Sequence, residues 1–246
     1  MNMHQEIGVL AQYKIPRRVC DMSSKLNKRI VSALLIAPPF IFSIVYGDIY
    51  LSVWLLIAFS ISVFEWYGLA KKTEFFFPTM VLGVIYMAIS YSSFLALREV
   101  YSINILIIFL GMIWFSDIGA FFVGKTFGGP KLIQQISPNK TWSGFGGALF
   151  FPALFAVIWV SYMGIHPEFN DNPWYIIYFM AAILGVTIGS VGQAGDLLVS
   201  FIKRQANVKD TGSLIPGHGG LLDRIDSMLL GAPIFLVLIT LLSYVF

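Results

Sequence analysis

Two acidic residues stand close together just before the last apolar stretch of the chain. Asp223 and Asp226 are three positions apart, so on a helix they share one face. Carboxylates so placed repel each other unless a cation or a basic group lies between them. Magnesium fits there, because it takes oxygen ligands and usually reaches an enzyme together with phosphate groups. The alternative is a helix first turn in which both carboxylates offset the dipole and pair with Arg204 or Arg224.

The segment just upstream predicts a second functional helix face. Asp196, Ser200 and Lys203 are spaced i, i+4 and i+7, which places a carboxylate, a hydroxyl and an ammonium in one line on a helix. Basic side chains near this face favour phosphate binding, because they supply positive charge and hydrogen-bond donors. We expect phosphates to be held by Lys203, Arg204, Lys209 and Arg224.

A polar segment in the middle of the chain contains a further carboxylate. Asp117 lies near the membrane end of an apolar stretch, where a carboxylate is costly unless it faces a partner, a metal or water; the alternative is a hydrated helix end. Glycines and lysines follow, then Ser137, Lys140 and Thr141 in "SPNKT". Backbone N–H groups and a helix N-terminus would suit a phosphate there. Close helix packing explains the glycines equally well, and no GxxxxGK[ST] motif is present.

Two more residues have a functional and a structural interpretation each. His218 is flanked by glycines and could be a phosphate ligand, a general acid or a turn residue. Glu65 lies at the polar end of an apolar stretch, where it could line the same cavity or cap its own helix. A zinc site is not expected, because His4, His166 and Cys20 are not placed to complete one.

The elements that must position these residues are membrane-spanning helices. Apolar residues make up 57% of the 246 residues and charged residues 12%, about half the charged share of a soluble domain. Apolar runs of roughly twenty residues recur, and such runs cross a bilayer only as helices or closed barrels. We therefore predict an all-α polytopic integral membrane protein with about seven transmembrane helices. The predicted spans are 30–46, 50–69, 75–97, 103–122, 145–163, 174–194 and 228–246.

The basic residues predict the orientation of these spans. Residues 1–29 form a basic arm that we place on the cytoplasmic side, at the anionic inner leaflet. Every other Lys and Arg except Arg98 then also falls on that side, as the positive-inside bias requires. Residues 30–246 form one membrane-embedded domain, in which the segments 117–147 and 195–227 are two polar cytoplasmic loops that form the site.

The polar segments carry a resemblance to a known family. The stretch "SFIKRQANVKDTGSLIPGHGGLLDRID", from Ser200 to Asp226, resembles the signature of phosphatidate cytidylyltransferases. The segments "SDIGAFFVGKTFG", "SPNKTWSGFGG" and "GQAGDLLVS", and the pair Glu65 and Trp66, are similar to further elements of that family. The chain departs from the family at Ser143, where members usually carry a glutamate, so no role is assigned to that position.

The resemblance implies a reaction and a set of roles. Members condense CTP with phosphatidic acid to CDP-diacylglycerol and pyrophosphate and require a divalent metal, here Mg²⁺, with a second monovalent or divalent cation left open. It implies a bacterial-type inner membrane, contact with membrane lipids and a homodimer, and no nucleic-acid partner. The implied catalytic residues are Asp196, Lys203, His218, Asp223 and Arg224; the substrate-binding residues Ser137, Lys140, Thr141, Ser200, Arg204 and Lys209; the metal ligands Asp196 and Asp223, then Asp226 and Asp117.

Two other classes of protein remain as alternatives. A transporter or channel would show inverted repeats and charges near the middle of its spans, whereas the polar residues here cluster at one end of the predicted spans. A polyprenol kinase would also bring a nucleotide to a membrane alcohol by means of acidic and basic loops. A transporter should not release pyrophosphate from CTP, and incubation with a labelled polyprenol tests the kinase alternative.

Overall fold

The computed structural model describes residues 32, 34–163, 174–214 and 219–245. Within these ranges the chain forms seven α-helices, a short π-helix (Leu97–Tyr101) and one short β-hairpin. The predicted basic arm and His218 lie outside the described residues, so both interpretations stay predictions. The helices are α1 (Leu34–Tyr46), α2 (Asp48–Ala70), α3 (Phe76–Ala96), α4 (Ile103–Phe127), α5 (Trp142–Tyr162), α6 (Trp174–Gln205) and α7 (Leu222–Val245).

The helices confirm the predicted all-α polytopic membrane fold. The six helices α2 to α7 are long and apolar enough to cross a bilayer, and α1 is a shorter apolar helix. Their outer faces carry large apolar side chains, such as Phe64 at 71% exposure and Phe77 at 74%. Exposed apolar residues at this density suit a surface in contact with lipid, because lipid chains are as apolar as these side chains.

Four helices extend further at one end of the bundle than the sequence predicted. Helix α4 ends at Phe127 and α6 at Gln205, while α5 begins at Trp142 and α7 at Leu222. The prediction followed apolar length, which stops at the first polar residues, but the backbone hydrogen bonds of a helix continue through them. Several residues that we placed in polar loops therefore lie on helix ends, where their positions are fixed more rigidly.

Small residues allow the helices that carry the site to approach closely. A Cβ atom on Gly147 of α5 would overlap the carbonyl oxygen of Gly119 on α4, and one on Gly189 of α6 would overlap that of Ala148 on α5. Such contacts replace hydrophobic burial as the force between helices in lipid. Helices α4, α5 and α6 consequently form one tightly packed group, against which α7 packs.

The β-hairpin lies between α4 and α5 and was not predicted. Strand β1 (Lys131–Ile133) pairs antiparallel with β2 (Ser137–Thr141). At the end of β2 the hydroxyl of Thr141 accepts a hydrogen bond from the Gly144 N–H at 3.1 Å and so caps α5. The Ser143 hydroxyl donates to the carbonyl of Gly128, just before β1. These bonds fix the hairpin to the start of α5.

Candidate active site

A polar cavity of about 700 Å³ opens at one end of the helix bundle. Helices α6 and α7 form its walls, together with the hairpin and the segment between α6 and α7. The cavity brings residues from both polar segments of the sequence together, although they are far apart in the chain. Its lining includes Asp117, Ser137, Asp196, Lys203, Arg204, Lys209, Asp223, Arg224 and Asp226.

Asp196 is the centre of a hydrogen-bonded chain across three elements. Its Oδ2 lies 2.6 Å from Lys140 Nζ on β2, and its Oδ1 accepts from Ser200 Oγ at 3.1 Å, one turn further along α6. Lys140 Nζ also donates to Gln193 Oε1 at 2.8 Å, and Gln193 Nε2 to Asp117 Oδ1 at 3.4 Å. The predicted helical face of Asp196 and Ser200 therefore exists, and β2 supplies its positive charge.

Asp223 is bonded on both of its carboxylate oxygens. Oδ1 accepts from Lys203 Nζ at 2.8 Å, and both side chains of this pair are about nine-tenths buried. Oδ2 accepts from the Thr211 N–H at 2.9 Å, the Thr211 hydroxyl at 3.1 Å and the Gly220 N–H at 3.0 Å. In this arrangement Asp223 fastens the segment before α7 to α6, and any cation ligand role would require exchange of one of these bonds.

Asp226 faces Asp196 across the contact between α7 and α6. Only 9% of Asp226 is exposed, and its Oδ1 accepts from the Ser227 N–H at 2.8 Å. The carboxyl groups of Asp196 and Asp226 line the same cavity and interact electrostatically. A Cβ on Gly195 would lie 2.7 Å from the Asp226 carbonyl oxygen, so the helices touch at this level. Two facing carboxylates repel each other unless a cation or a proton lies between them.

The donor set suits a magnesium ion that also binds a substrate. Among the described residues, no group of three or more His, Cys, Asp or Glu side chains converges to hold a metal by itself. Magnesium is usually bound by one or two carboxylates, with substrate phosphates and water completing six ligands. The facing pair Asp196 and Asp226 meets that requirement, and Asp117 interacts electrostatically with Asp196 at the edge of the pair.

Glu65 of α2 holds the start of α7. Its Oε1 accepts from the Leu221 N–H at 2.8 Å, and its Oε2 from the Leu222 N–H at 2.9 Å and the Thr211 hydroxyl at 3.1 Å. The carboxylate is 5% exposed. It therefore satisfies backbone N–H groups at a helix N-terminus, where negative charge is also favoured by the helix dipole. Glu65 caps α7, which neither of the two sequence interpretations stated.

The remaining predicted residues occupy the rim of the cavity or its neighbour. Arg204 is exposed and donates from Nε to the Ile136 carbonyl at 3.0 Å and from Nη1 to the Val208 carbonyl at 3.1 Å, which ties α6 to the hairpin. Lys209 is also exposed. Thr141, which we assigned to substrate, caps α5 and lines an adjoining cavity of about 470 Å³ that shares Asp117 and Asp196 with the first.

Three residues outside the predicted set lie beside the site or pack close to it. Gln193 precedes Asp196 by three positions, so helical spacing alone could have placed it on the same face. Thr211 binds both Asp223 and Glu65, a role that no local pattern indicates. Tyr86 of α3 has a buried hydroxyl without a hydrogen-bond partner among the described residues, and it interacts electrostatically with Asp226.

The fold and the site define a polytopic membrane protein in which carboxylates and lysines face one polar cavity at the helix ends. Comparison with known sequences places the chain more narrowly. The profile of the cytidylyltransferase family matches residues 74–242, and the chain belongs to this family.

Several curated relatives share most of the chain and carry the same name. The phosphatidate cytidylyltransferase of Rickettsia bellii is 35% identical over 216 residues, which cover 86% of this chain and 89% of the relative. The phosphatidate cytidylyltransferase of Bacillus subtilis is 35% identical over 190 residues, 75% of this chain and 67% of the relative. That of Staphylococcus aureus is 37% identical over 188 residues, 75% and 68%. The profile match covers every described residue that lines the cavity, from Asp117 to Ser227.

Proposed function

We propose that the protein condenses CTP with phosphatidic acid to CDP-diacylglycerol and pyrophosphate at the membrane surface. The observation that supports this most directly is the facing pair Asp196 and Asp226, flanked by Lys140 and Lys203 at the ends of membrane-spanning helices. A lipid phosphate can reach that level from the bilayer, and a nucleotide can reach it from water. The relatives named phosphatidate cytidylyltransferase support the choice of these two substrates.

The chemistry requires one bond to form and one to break. An oxygen of the phosphatidate attacks the α-phosphorus of CTP, and the bond from that phosphorus to the bridging oxygen of the departing pyrophosphate breaks. Little covalent chemistry falls to the protein, because positioning and charge stabilisation carry most of phosphoryl transfer. Lys140 and Lys203 are already oriented into the site by Asp196 and Asp223, so they can neutralise phosphate oxygens there.

The metal requirement forms part of the proposal. Asp196 and Asp226 would hold Mg²⁺, with Asp117 at the edge and Asp223 joining after exchange of its bond with Lys203. The bound ion would supply positive charge against the phosphate oxygens. The rim residues Arg204, Lys209 and Arg224 extend the positive charge toward the cavity opening, where a triphosphate would enter. A second cation, monovalent or divalent, and a catalytic role for His218 are further parts of the proposal.

The orientation and the assembly are further parts of the proposal. The positive-inside bias supports a cytoplasmic N-terminus and a cytoplasmic cavity in a bacterial-type inner membrane. The homodimer is an expectation from the family resemblance alone, and the mass of the purified protein in detergent tests it. Cysteine labelling from either side of sealed vesicles tests the orientation, with one introduced cysteine at the exposed Lys209 and another at the exposed Val100, near the opposite ends of the helices.

The decisive assay is pyrophosphate release by the purified protein in detergent with CTP, Mg²⁺ and phosphatidic acid, each omitted in turn. We expect release only when all three are present. Asp196→Asn should reduce release by at least about 100-fold, whereas Asp48→Asn, at the start of α2 outside the cavity lining, serves as the matched control. Formation of CDP and a polyprenyl phosphate, with a polyprenol in place of phosphatidic acid, would move the protein to the kinase class. No pyrophosphate release under conditions active for a relative would contradict the proposal.

A further inference from the structure

The hydroxyl of Tyr86 is the feature of the site that the proposed reaction leaves without a role. It is a buried side-chain oxygen with no hydrogen-bond partner in the part of the chain that the structure describes. Burying a hydroxyl without a partner is destabilising, because its bonds to water are lost and nothing replaces them. A phenylalanine would fill the same space without that cost, so the hydroxyl needs an explanation.

The packing of α3 against α7 places this hydroxyl level with the carboxylate pair. Both helices begin at the same end of the bundle, where Glu65 binds the start of α7 and Trp66 Nε1 donates to the Thr79 carbonyl on α3 at 2.8 Å. Deeper in the bundle, the Ser90 hydroxyl of α3 donates to the Leu229 carbonyl of α7. Tyr86 is four residues before Ser90, and Asp226 is three residues before Leu229. Both therefore lie one turn closer to the cavity, on facing helices.

The carboxylate of Asp226 can accept a hydrogen bond from this hydroxyl. Its Oδ1 accepts a hydrogen bond from the Ser227 N–H at 2.8 Å, and it lines the same cavity as Asp196. Tyr86 packs against the apolar cluster that includes Leu222 and Leu229 of α7. These two residues are four positions before and three positions after Asp226, so Tyr86 lies against the face of α7 that carries this carboxylate. A tyrosine O–H is a hydrogen-bond donor, and a carboxylate that binds a metal commonly accepts a hydrogen bond on its second oxygen.

We propose that Tyr86 is a positioning residue that donates its O–H to Asp226 and orients this carboxylate toward a divalent cation shared with Asp196. The inference rests on the proposed function only in taking the facing carboxylates as a cation site. In the described part of the chain this hydrogen bond is not formed. With a cation held by Asp196 and Asp226, the Tyr86 hydroxyl would stabilise one orientation of the Asp226 carboxylate.

The test compares two phenylalanine variants of the same helix. Tyr86→Phe removes the unpartnered hydroxyl, and Tyr91→Phe removes a hydroxyl that is bonded to Ser62 Oγ at 2.8 Å. Mn²⁺ is used as the probe, because its free concentration can be followed by electron paramagnetic resonance on the purified protein in detergent without turnover. Loss of a residue that orients a metal ligand typically weakens metal affinity about 10-fold or more.

We expect the Mn²⁺ dissociation constant of Tyr86→Phe to rise about 10-fold, while that of Tyr91→Phe stays at the wild-type value. Thermal unfolding without metal should show the opposite order, since Tyr91→Phe loses a bond and Tyr86→Phe loses none. In an Asp226→Asn background, Tyr86→Phe should weaken Mn²⁺ binding no further, because its effect acts through Asp226.

Wild-type Mn²⁺ affinity in Tyr86→Phe, an equal loss in the Asp226→Asn background, or no Mn²⁺ binding by the wild type would each overturn the inference. A failure of the proposed reaction is distinguishable from these outcomes. It would be seen as absent pyrophosphate release by the wild type, whereas the Mn²⁺ comparison needs neither CTP nor phosphatidic acid.

Discussion

Replacement of Glu65 by glutamine tests whether a single buried carboxylate holds the start of α7. The change keeps the shape of the side chain but leaves one acceptor oxygen where there were two. Glu65 accepts three bonds, from Leu221, Leu222 and Thr211. The best amide orientation keeps its oxygen toward Leu222 and Thr211 and turns an N–H group toward the Leu221 N–H. One bond is then lost, and the other two lose their charged acceptor.

The size of the effect follows from these three bonds. A hydrogen bond to a charged group contributes about 1.5–3 kcal/mol, and a neutral one about 0.5–1.5 kcal/mol. One lost bond and two weakened bonds therefore lower the free energy of unfolding by about 3–5 kcal/mol. For a chain of this size that corresponds to a decrease in Tm on the order of 10 °C. Turnover should fall as well, because Asp223 and Asp226 lie in the first two turns of the helix that Glu65 holds.

Thermal unfolding of the purified protein in detergent, followed by intrinsic fluorescence, measures the change in stability. Glu99→Gln is the matched control, since Glu99 Oε1 also accepts a backbone N–H at a helix start, that of Asp48 at 2.9 Å, but in an exposed position. We expect the control to lower stability by less than about 1 kcal/mol. Equal Tm values for Glu65→Gln and Glu99→Gln would refute the reasoning, because they would mean that the buried cap contributes no more than the exposed one.

Three further substitutions test other parts of the molecule. Lys203→Met leaves Asp223 buried without its ion pair and should lower the free energy of unfolding by about 3 kcal/mol. This is the lower end for a broken buried pair, because three other hydrogen bonds to Asp223 remain. Equal Tm values for the variant and the wild type would contradict this prediction. Lys140→Gln should raise the KM for CTP at least about 10-fold, and it should change the Tm little because the ion pair of Lys140 with Asp196 is partly exposed. An unchanged KM in steady-state kinetics would count against a phosphate-binding role for Lys140. Arg98→Ala removes hydrogen bonds to the carbonyls of Ile44 and Val45 at the end of α1. It should lower the free energy of unfolding by about 2 kcal/mol without altering kcat. A loss of turnover at full stability would be inconsistent with a purely structural role.

The sequence was most informative where a property accumulates over many residues. Apolar length predicted the spanning helices, because each span needs about twenty apolar residues whatever its neighbours are. Helical spacing predicted that Asp196 and Ser200 share one face of a helix, and in the structure a hydrogen bond joins them. The signature from Ser200 to Asp226 was the basis of the family resemblance, and the family profile match confirms that resemblance.

Prediction from sequence failed for contacts between distant segments and for the exact ends of helices. The strand from Lys131 to Ile133 is too short to show an alternating pattern, and its pairing with β2 depends on the turn between them. The helix ends beyond 194 and before 228 are polar, so an apolar criterion cannot follow them. No local sequence pattern indicates that Glu65 caps α7 or that Tyr86 lies at the same height in the bundle as Asp226, because each depends on how separate helices pack.

The contact of Glu65 with the start of α7 also sets an order of events during synthesis. The bond from Leu222 to Glu65 spans 157 positions of the chain. Helix α2 is made and inserted early, and its carboxylate has no backbone N–H partner until α7, the last of the described helices, arrives. Loop closure over such a separation is slow compared with the formation of each helix. Completion of the polar cavity is therefore a late step of folding. A nascent chain that stalls before α7 differs from the finished protein in that the carboxylate of Glu65 has no backbone N–H partner from α7.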